Sequence, residues 1–131
     1  MGAIRFAWLL GSVTLAGVLA APAREGALPG PIQAEVVRVI DGDTLAVRAR
    51  IWLDQDVATV VRIDGIDAPE LKGACAAERE RAIAAQAALV RLIGDGQVAL
   101  IDVRHDKYGG RVRATVATAA GVVLADALIA A

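Results

Sequence analysis

From Ala74 to Ile93 the chain is almost all strong helix formers, and Gly94 follows as a natural stop. Everything around that helix reads as short strand. Ile32–Ile40, Thr44–Leu53 and Val57–Asp64 precede it as a three-strand meander, rich in apolar and β-branched residues. Gln97–Arg104 and Arg111–Thr118 follow it, and a short helix over Val123–Ala131 ends the sequence. The turns are Asp41-Gly42-Asp43, the tip Asp54-Gln55-Asp56, Tyr108-Gly109-Gly110 and Ala119–Gly121. On the long helix, Ile83, Ala87 and Val90 fall on one face with Leu89 and Ile93 beside them, so this face is expected to pack inward.

Five strands with a helix between the third and fourth match a mainly β (α+β) OB-fold, a small Greek-key barrel that often binds oligonucleotides. Aromatic residues are 3% of the sequence against 56% hydrophobic, so the core must be built from Ala, Val, Leu and Ile. Such a core buries less area per residue, and modest stability is expected. The formal net charge is −1, and removing Arg5 with the N-terminal segment makes it more negative by one. A nucleic-acid coat protein carries a basic footprint, which is absent overall. Any affinity for nucleic acid must therefore come from a local site.

Residues 1–23 read as an export signal: Arg5 supplies the positive start, Phe6–Ala20 the apolar run, and Val18-Leu19-Ala20 or Ala21-Pro22-Ala23 a cleavage site. The alternative is an uncleaved membrane anchor, but the run is short of the roughly 20 residues that a spanning helix needs. Residues 24–31, with Pro29-Gly30-Pro31, read as a linker, and 32–131 as the domain. The expected location is periplasmic or secreted, or membrane-anchored if the segment stays, and no stable protein partner is implied.

The stretch Val60-Val61-Arg62-Ile63-Asp64-Gly65-Ile66-Asp67-Ala68-Pro69-Glu70 starts as a strand around an inward-aimed Arg62 and ends as a loop at Gly65 and Pro69. It sets an arginine on a rigid strand and two carboxylates, Asp67 and Glu70, at the strand's mouth. The same Asp-x-Pro-Glu pattern is also ordinary turn and helix-start chemistry. Asp41-Gly42-Asp43 alone is a hairpin signal. In a closed meander, however, the first hairpin and the end of the third strand lie side by side, which brings Asp43 to Asp67. Carboxylates that close repel unless a cation or proton intervenes. An oxygen-only set suits Ca²⁺ or Mg²⁺ rather than zinc. His105 is the only histidine, so a Ser-His-Asp triad or zinc cluster cannot form around it, and it reads as a solvated turn residue. Cys75, also single, cannot make an internal disulfide.

Three motifs in this order, Asp41-Gly42-Asp43-Thr44, the 60–70 stretch and Asp106-Lys107-Tyr108-Gly109-Gly110-Arg111, resemble the staphylococcal nuclease (thermonuclease) family from about Glu35 onward. The resemblance implies an exported Ca²⁺-dependent endonuclease that hydrolyses DNA, with RNA as a further candidate, to 3′-phosphate products. It implies Ca²⁺ on Asp43, Asp67 and the backbone carbonyl of Ala68, where the family commonly has Thr. It implies Glu70 as the residue that activates or orients water, its alternative being a helix N-terminal acid. Arg62 and Arg111 are then the catalytic pair that holds charge on the phosphoryl oxygens. Arg111 is preferred to Arg113, although relatives often carry one Gly rather than two before this arginine. Lys107 and Tyr108 match positions that touch a terminal phosphate, with a plain hairpin tip as the alternative. Members of the family usually continue past the second helix, through a segment with base-stacking aromatics and a third helix. The other readings are a non-catalytic oligonucleotide-binding module and an inactive, truncated homologue.

Overall fold

A computed structural model describes residues 26–130 of the chain. The candidate export segment lies outside the described residues. Among the described residues no helix is long and apolar enough to cross a membrane. The elements run β1 (Ile32–Asp41), β2 (Thr44–Trp52), β3 (Gln55–Ile63), α1 (Ala76–Ile93), β4 (Gln97–His105), β5 (Arg111–Thr118) and α2 (Leu124–Ala130). The strands close into a barrel in the order β1-β2-β3-β5-β4, mixed because β3 and β5 run parallel while the other pairs are antiparallel. This is the expected OB-like α+β barrel.

Strand alternation builds the interior. Leu45, Val47 and Ala49 of β2, Val61 and Ile63 of β3, Val98 and Leu100 of β4, and Ala114 and Val116 of β5 are all buried on the inner face. Leu89 and Ile93 of α1 and Leu124 and Ala125 of α2 join the same core. Each fully buried Leu, Ile or Val is worth about 1.5–3 kcal/mol of transfer free energy. No aromatic side chain among the described residues takes part. The aromatics among the described residues are Trp52 and Tyr108, both exposed.

Four expectations about these elements need correction. Arg62 does not point into the barrel: Val61 and Ile63 on either side of it are the inward residues, so Arg62 lies on the outer pleat. The second hairpin turns at Leu53-Asp54 rather than Asp54-Gln55-Asp56, because Asp54 adopts a left-handed conformation (φ 57°) that permits a two-residue turn. On α1 the inward stripe is Ala82, Leu89 and Ile93, while Ile83 and Val90 are more than half exposed. Half-buried Gln86 lies within that stripe and donates Nε2–H to the carbonyls of Val39 (3.1 Å) and Ile40 (3.4 Å), where β1 shifts register against β2. A polar residue therefore anchors the helix, and the small residue Ala82 lets it approach. Helix α1 also begins two residues later than expected, with Cys75 as its N-cap and Gly94 in place at its C-terminus.

The topology delivers one end of the barrel to the functional residues. Thr44 of β2 pairs with Arg62 of β3, Arg62 with Arg113 of β5, and Arg113 with Arg104 of β4. One transverse row thus carries three arginines on neighbouring strands. Above it, the β1–β2 turn is pressed between α1 and the loop after β3. A Cβ built on Gly42 would stand 2.6 Å from the Cβ of Ala85 and 2.9 Å from that of Ala68, so only glycine fits.

Candidate active site

At this end the β1–β2 turn, the exit of β3 and the β4–β5 hairpin enclose a polar cleft of about 250 Å³. Asp41, Asp43, Thr44, Arg62, Asp67, Ala68 and Glu70 line one side. Asp106, Lys107, Tyr108, Arg111 and Arg113 line the other. Every residue that the sequence singled out for catalysis, metal binding or substrate binding is among them. The expected meeting of the first hairpin with the end of the third strand is also present, since Ile63 N–H donates to the Asp43 carbonyl at 2.8 Å.

Asp43 is the most enclosed acid of the first wall. Its Oδ1 accepts the Thr44 hydroxyl at 2.7 Å, and its Oδ2 accepts the Ala68 backbone N–H at 2.8 Å. Arg62 places Nη1 2.9 Å from Asp43 Oδ2 and Nη2 2.9 Å from Asp67 Oδ1. Nη1 also donates to the Ile66 carbonyl at 2.8 Å. The loop 64–68 thus roofs the outward-facing guanidinium, which is why Arg62 is only 17% exposed although it lies outside the barrel. The Asp67 side chain, by contrast, is 94% exposed.

Glu70 is exposed, and its carboxylate has no hydrogen-bond or ion-pair partner among the described residues. Asp41 also enters the cleft, where its Oδ1 accepts the Leu71 N–H at 3.3 Å. The sequence reading passed Asp41 over as part of a turn. Its signal was the i, i+2 spacing with Asp43.

On the second wall, Asp106 is 97% enclosed and grips Nε of Arg111, while its Oδ1 accepts the Lys107 backbone N–H at 2.8 Å. Burial alone would push the Asp106 carboxyl up. The Arg111 hydrogen bond, the Lys107 N–H and the charges of Arg111 and Arg113 outweigh it and hold the group below its ordinary value. Tyr108 lies over Arg111, 4.7 Å from guanidinium carbon to ring centre, with Lys107 Nζ 5.1 Å from the same ring. Asp106 opens the Asp106–Arg111 motif, and in the structure it anchors Arg111.

A second ionic group adjoins the cleft and was not foreseen. Asp64 receives Arg104 on both oxygens, at 2.6 and 3.0 Å, and Arg113 Nε on Oδ1 at 2.9 Å. Arg104 is 40 residues from Asp64 in sequence, so no local pattern announces the contact.

The donor set fits a hard divalent cation such as Ca²⁺ in kind, because the acids of the first wall outnumber its one arginine and neither Cys nor His lines the cleft. Arg62 spans Asp43 and Asp67, and among the described residues no three acids gather into a ready-made cluster. Cys75 is exposed and unbonded, and His105 ends β4 rather than lying in the turn.

Fold and cleft together define an OB-like barrel with an acid- and arginine-lined cleft at one end. No protein-family profile matches the chain, and no characterised protein matches it significantly. The likeness to staphylococcal nuclease therefore stands on the three motifs alone.

Proposed function

We propose that the protein is an exported, Ca²⁺-dependent phosphodiesterase that cleaves DNA, with RNA as a further candidate. The observation that carries this reading is the convergence of Arg62, Glu70 and Arg111 on one small cleft from elements up to 49 positions apart. Asp43, Asp67 and the carbonyl of Ala68 would hold Ca²⁺, which when bound supplies positive charge beside a phosphoryl oxygen. The protein's own groups account for the rest. Glu70, exposed and unpaired, takes a proton from the water that attacks phosphorus. Arg62 and Arg111 donate N–H groups to the non-bridging oxygens as charge builds on them. The bond to the 5′-oxygen breaks, that oxygen takes a proton from solvent, and a 3′-phosphate remains. Lys107 and Tyr108 border the position for a terminal phosphate.

The test is Ca²⁺-dependent cleavage of denatured DNA by the purified full chain, with the product ends identified. Glu70→Gln is expected to lower kcat by about 10²–10⁴-fold, the usual contribution of a positioned base. A protein folded by circular dichroism that cleaves nothing with Ca²⁺ would overturn the proposal. Binding of an oligonucleotide without cleavage, unaffected by Glu70→Gln, would instead identify a binding module.

A further inference from the structure

Arg111 and Arg113 stand two residues apart on β5, on the outer face, and are held in the same way. Each is gripped at Nε by an acid, Arg111 by Asp106 and Arg113 by Asp64. Neither has a hydrogen-bond partner at its two terminal nitrogens among the described residues. A guanidinium anchored at Nε still presents a planar pair of N–H donors, the geometry that matches a phosphate. Both arginines line the cleft.

Their anchors differ. Asp106 makes its ion pair with Arg111, whereas Asp64 is bonded by both Arg104 and Arg113. Arg104 occupies both Asp64 oxygens at 2.6 and 3.0 Å, which leaves Arg113 a single contact on an oxygen already in use. Asp102 joins this group through Arg104, its Oδ2 3.5 Å from the same Nη1 that bonds Asp64. Arg113 is 40% exposed, with both terminal nitrogens left for a ligand. Its strand position directly faces that of Arg62. Neighbouring strands lie about 4.8 Å apart, and long side chains can widen that interval to the spacing of successive phosphates in a strand.

We infer that Arg113 forms a second phosphate subsite, beside the one served by Arg62 and Arg111, so that the preferred substrate is a polynucleotide strand rather than an isolated diester. This rests on the nuclease reading for the scissile position but not for strand binding itself. Arg113 is a binding residue; Asp64 and Arg104 are positioning residues that aim it.

The experiment has a binding arm and a kinetic arm. Binding of a 5′-fluorescein ten-nucleotide oligothymidylate is followed by anisotropy across a NaCl series with Ca²⁺ present. The full chain carries Glu70→Gln, which keeps the strand intact and leaves Arg113 and Asp64 untouched. Adding Arg113→Ala should weaken binding about tenfold and reduce the slope of log K against log salt by about 0.7, the value of one phosphate contact on a single strand. Arg113→Lys should restore the slope but only part of the affinity, because charge is kept and the fork is lost. In the Glu70 protein, Arg113→Ala should raise KM for the oligonucleotide about tenfold, with kcat within twofold. The loss of kcat/KM on bis(p-nitrophenyl) phosphate, which has one phosphate, should be much smaller than on the oligonucleotide. Circular dichroism melts confirm that each variant is folded.

Equal slopes and affinities with and without Arg113 overturn the inference. So does an equal loss on both substrates, since that places Arg113 at the scissile phosphate or in the scaffold. A chain that binds the strand with the expected Arg113 slope yet cleaves nothing overturns the nuclease reading and leaves this subsite standing. A chain that does not bind the strand at all overturns the subsite.

Discussion

Two ionic groups at the same end of the barrel are built around opposite centres. Around Arg62, one guanidinium sits between two carboxylates, Asp43 and Asp67. Around Asp64, one carboxylate sits between two guanidiniums, Arg104 and Arg113. The first group has two acids to one arginine, whereas in the second Asp102 on Arg104 brings the count to two acids and two arginines, although their strands adjoin. They also differ in cover. Arg62 and Asp43 are 17% and 9% exposed, against 36% and 40% for the two arginines of the second group. The comparison teaches that a small, slightly acidic protein can set an acid-rich group beside one rich in arginine at the same end of a barrel, because strand register rather than overall composition decides which charges meet.

The sharpest way to break this contrast is to remove the central or best-buried acid from each group. Asp43→Ala is expected to destabilise the fold by about 3–5 kcal/mol, because it strips a buried pair and strands the Thr44 hydroxyl and Ala68 N–H. Urea denaturation of the full chain measures it. A loss below 1 kcal/mol would mean that Asp67 alone satisfies Arg62 and that the two clusters are not different in kind. Asp64→Ala should cost less, about 1–2 kcal/mol, since the arginines it releases can turn to solvent. A cost equal to that of Asp43→Ala would remove the distinction in burial.

A finer probe is acid titration of Asp106. Its folded pKa lies below the ordinary 3.8, so its contribution is complete above that value and is lost as pH falls through the lower folded one. The stability gap between wild type and Asp106→Asn should stay constant from about pH 5 to 8 and narrow only below about pH 4. A gap that already narrows near neutrality would contradict the Arg111 anchor. The smallest effect belongs to the far hairpin tip. Trp52 is 72% exposed there, and Trp52→Ser should alter stability by less than about 0.5 kcal/mol and leave strand binding unchanged. Weaker binding would show that the hairpin tip takes part in it.

Much of the architecture was legible because local rules governed it. β-Branched runs, Gly94 and the Gly109-Gly110 turn mark boundaries that the structure keeps to within a few residues. The inward face of α1 was misread because Ile83 and Val90 are more hydrophobic than Ala82, yet closeness to the barrel and the Gln86 bonds to β1 set the rotation of the helix. Arg62 was read as inward because burial was equated with the barrel interior. A loop can bury an outer side chain as well, and here loop 64–68 does so.

By itself the sequence determined which residue types are available, the order and type of the strands and helices to within a few residues, and that Asp43, Asp67, Glu70, Arg62 and Arg111 merit attention. Only tertiary structure decided how the charges divide. Ion pairing between Asp64 and Arg104, or between Arg62 and Asp43, joins residues on different elements through strand register and loop closure. Coulomb attraction depends on distance in space, which the order of residues along a chain does not state.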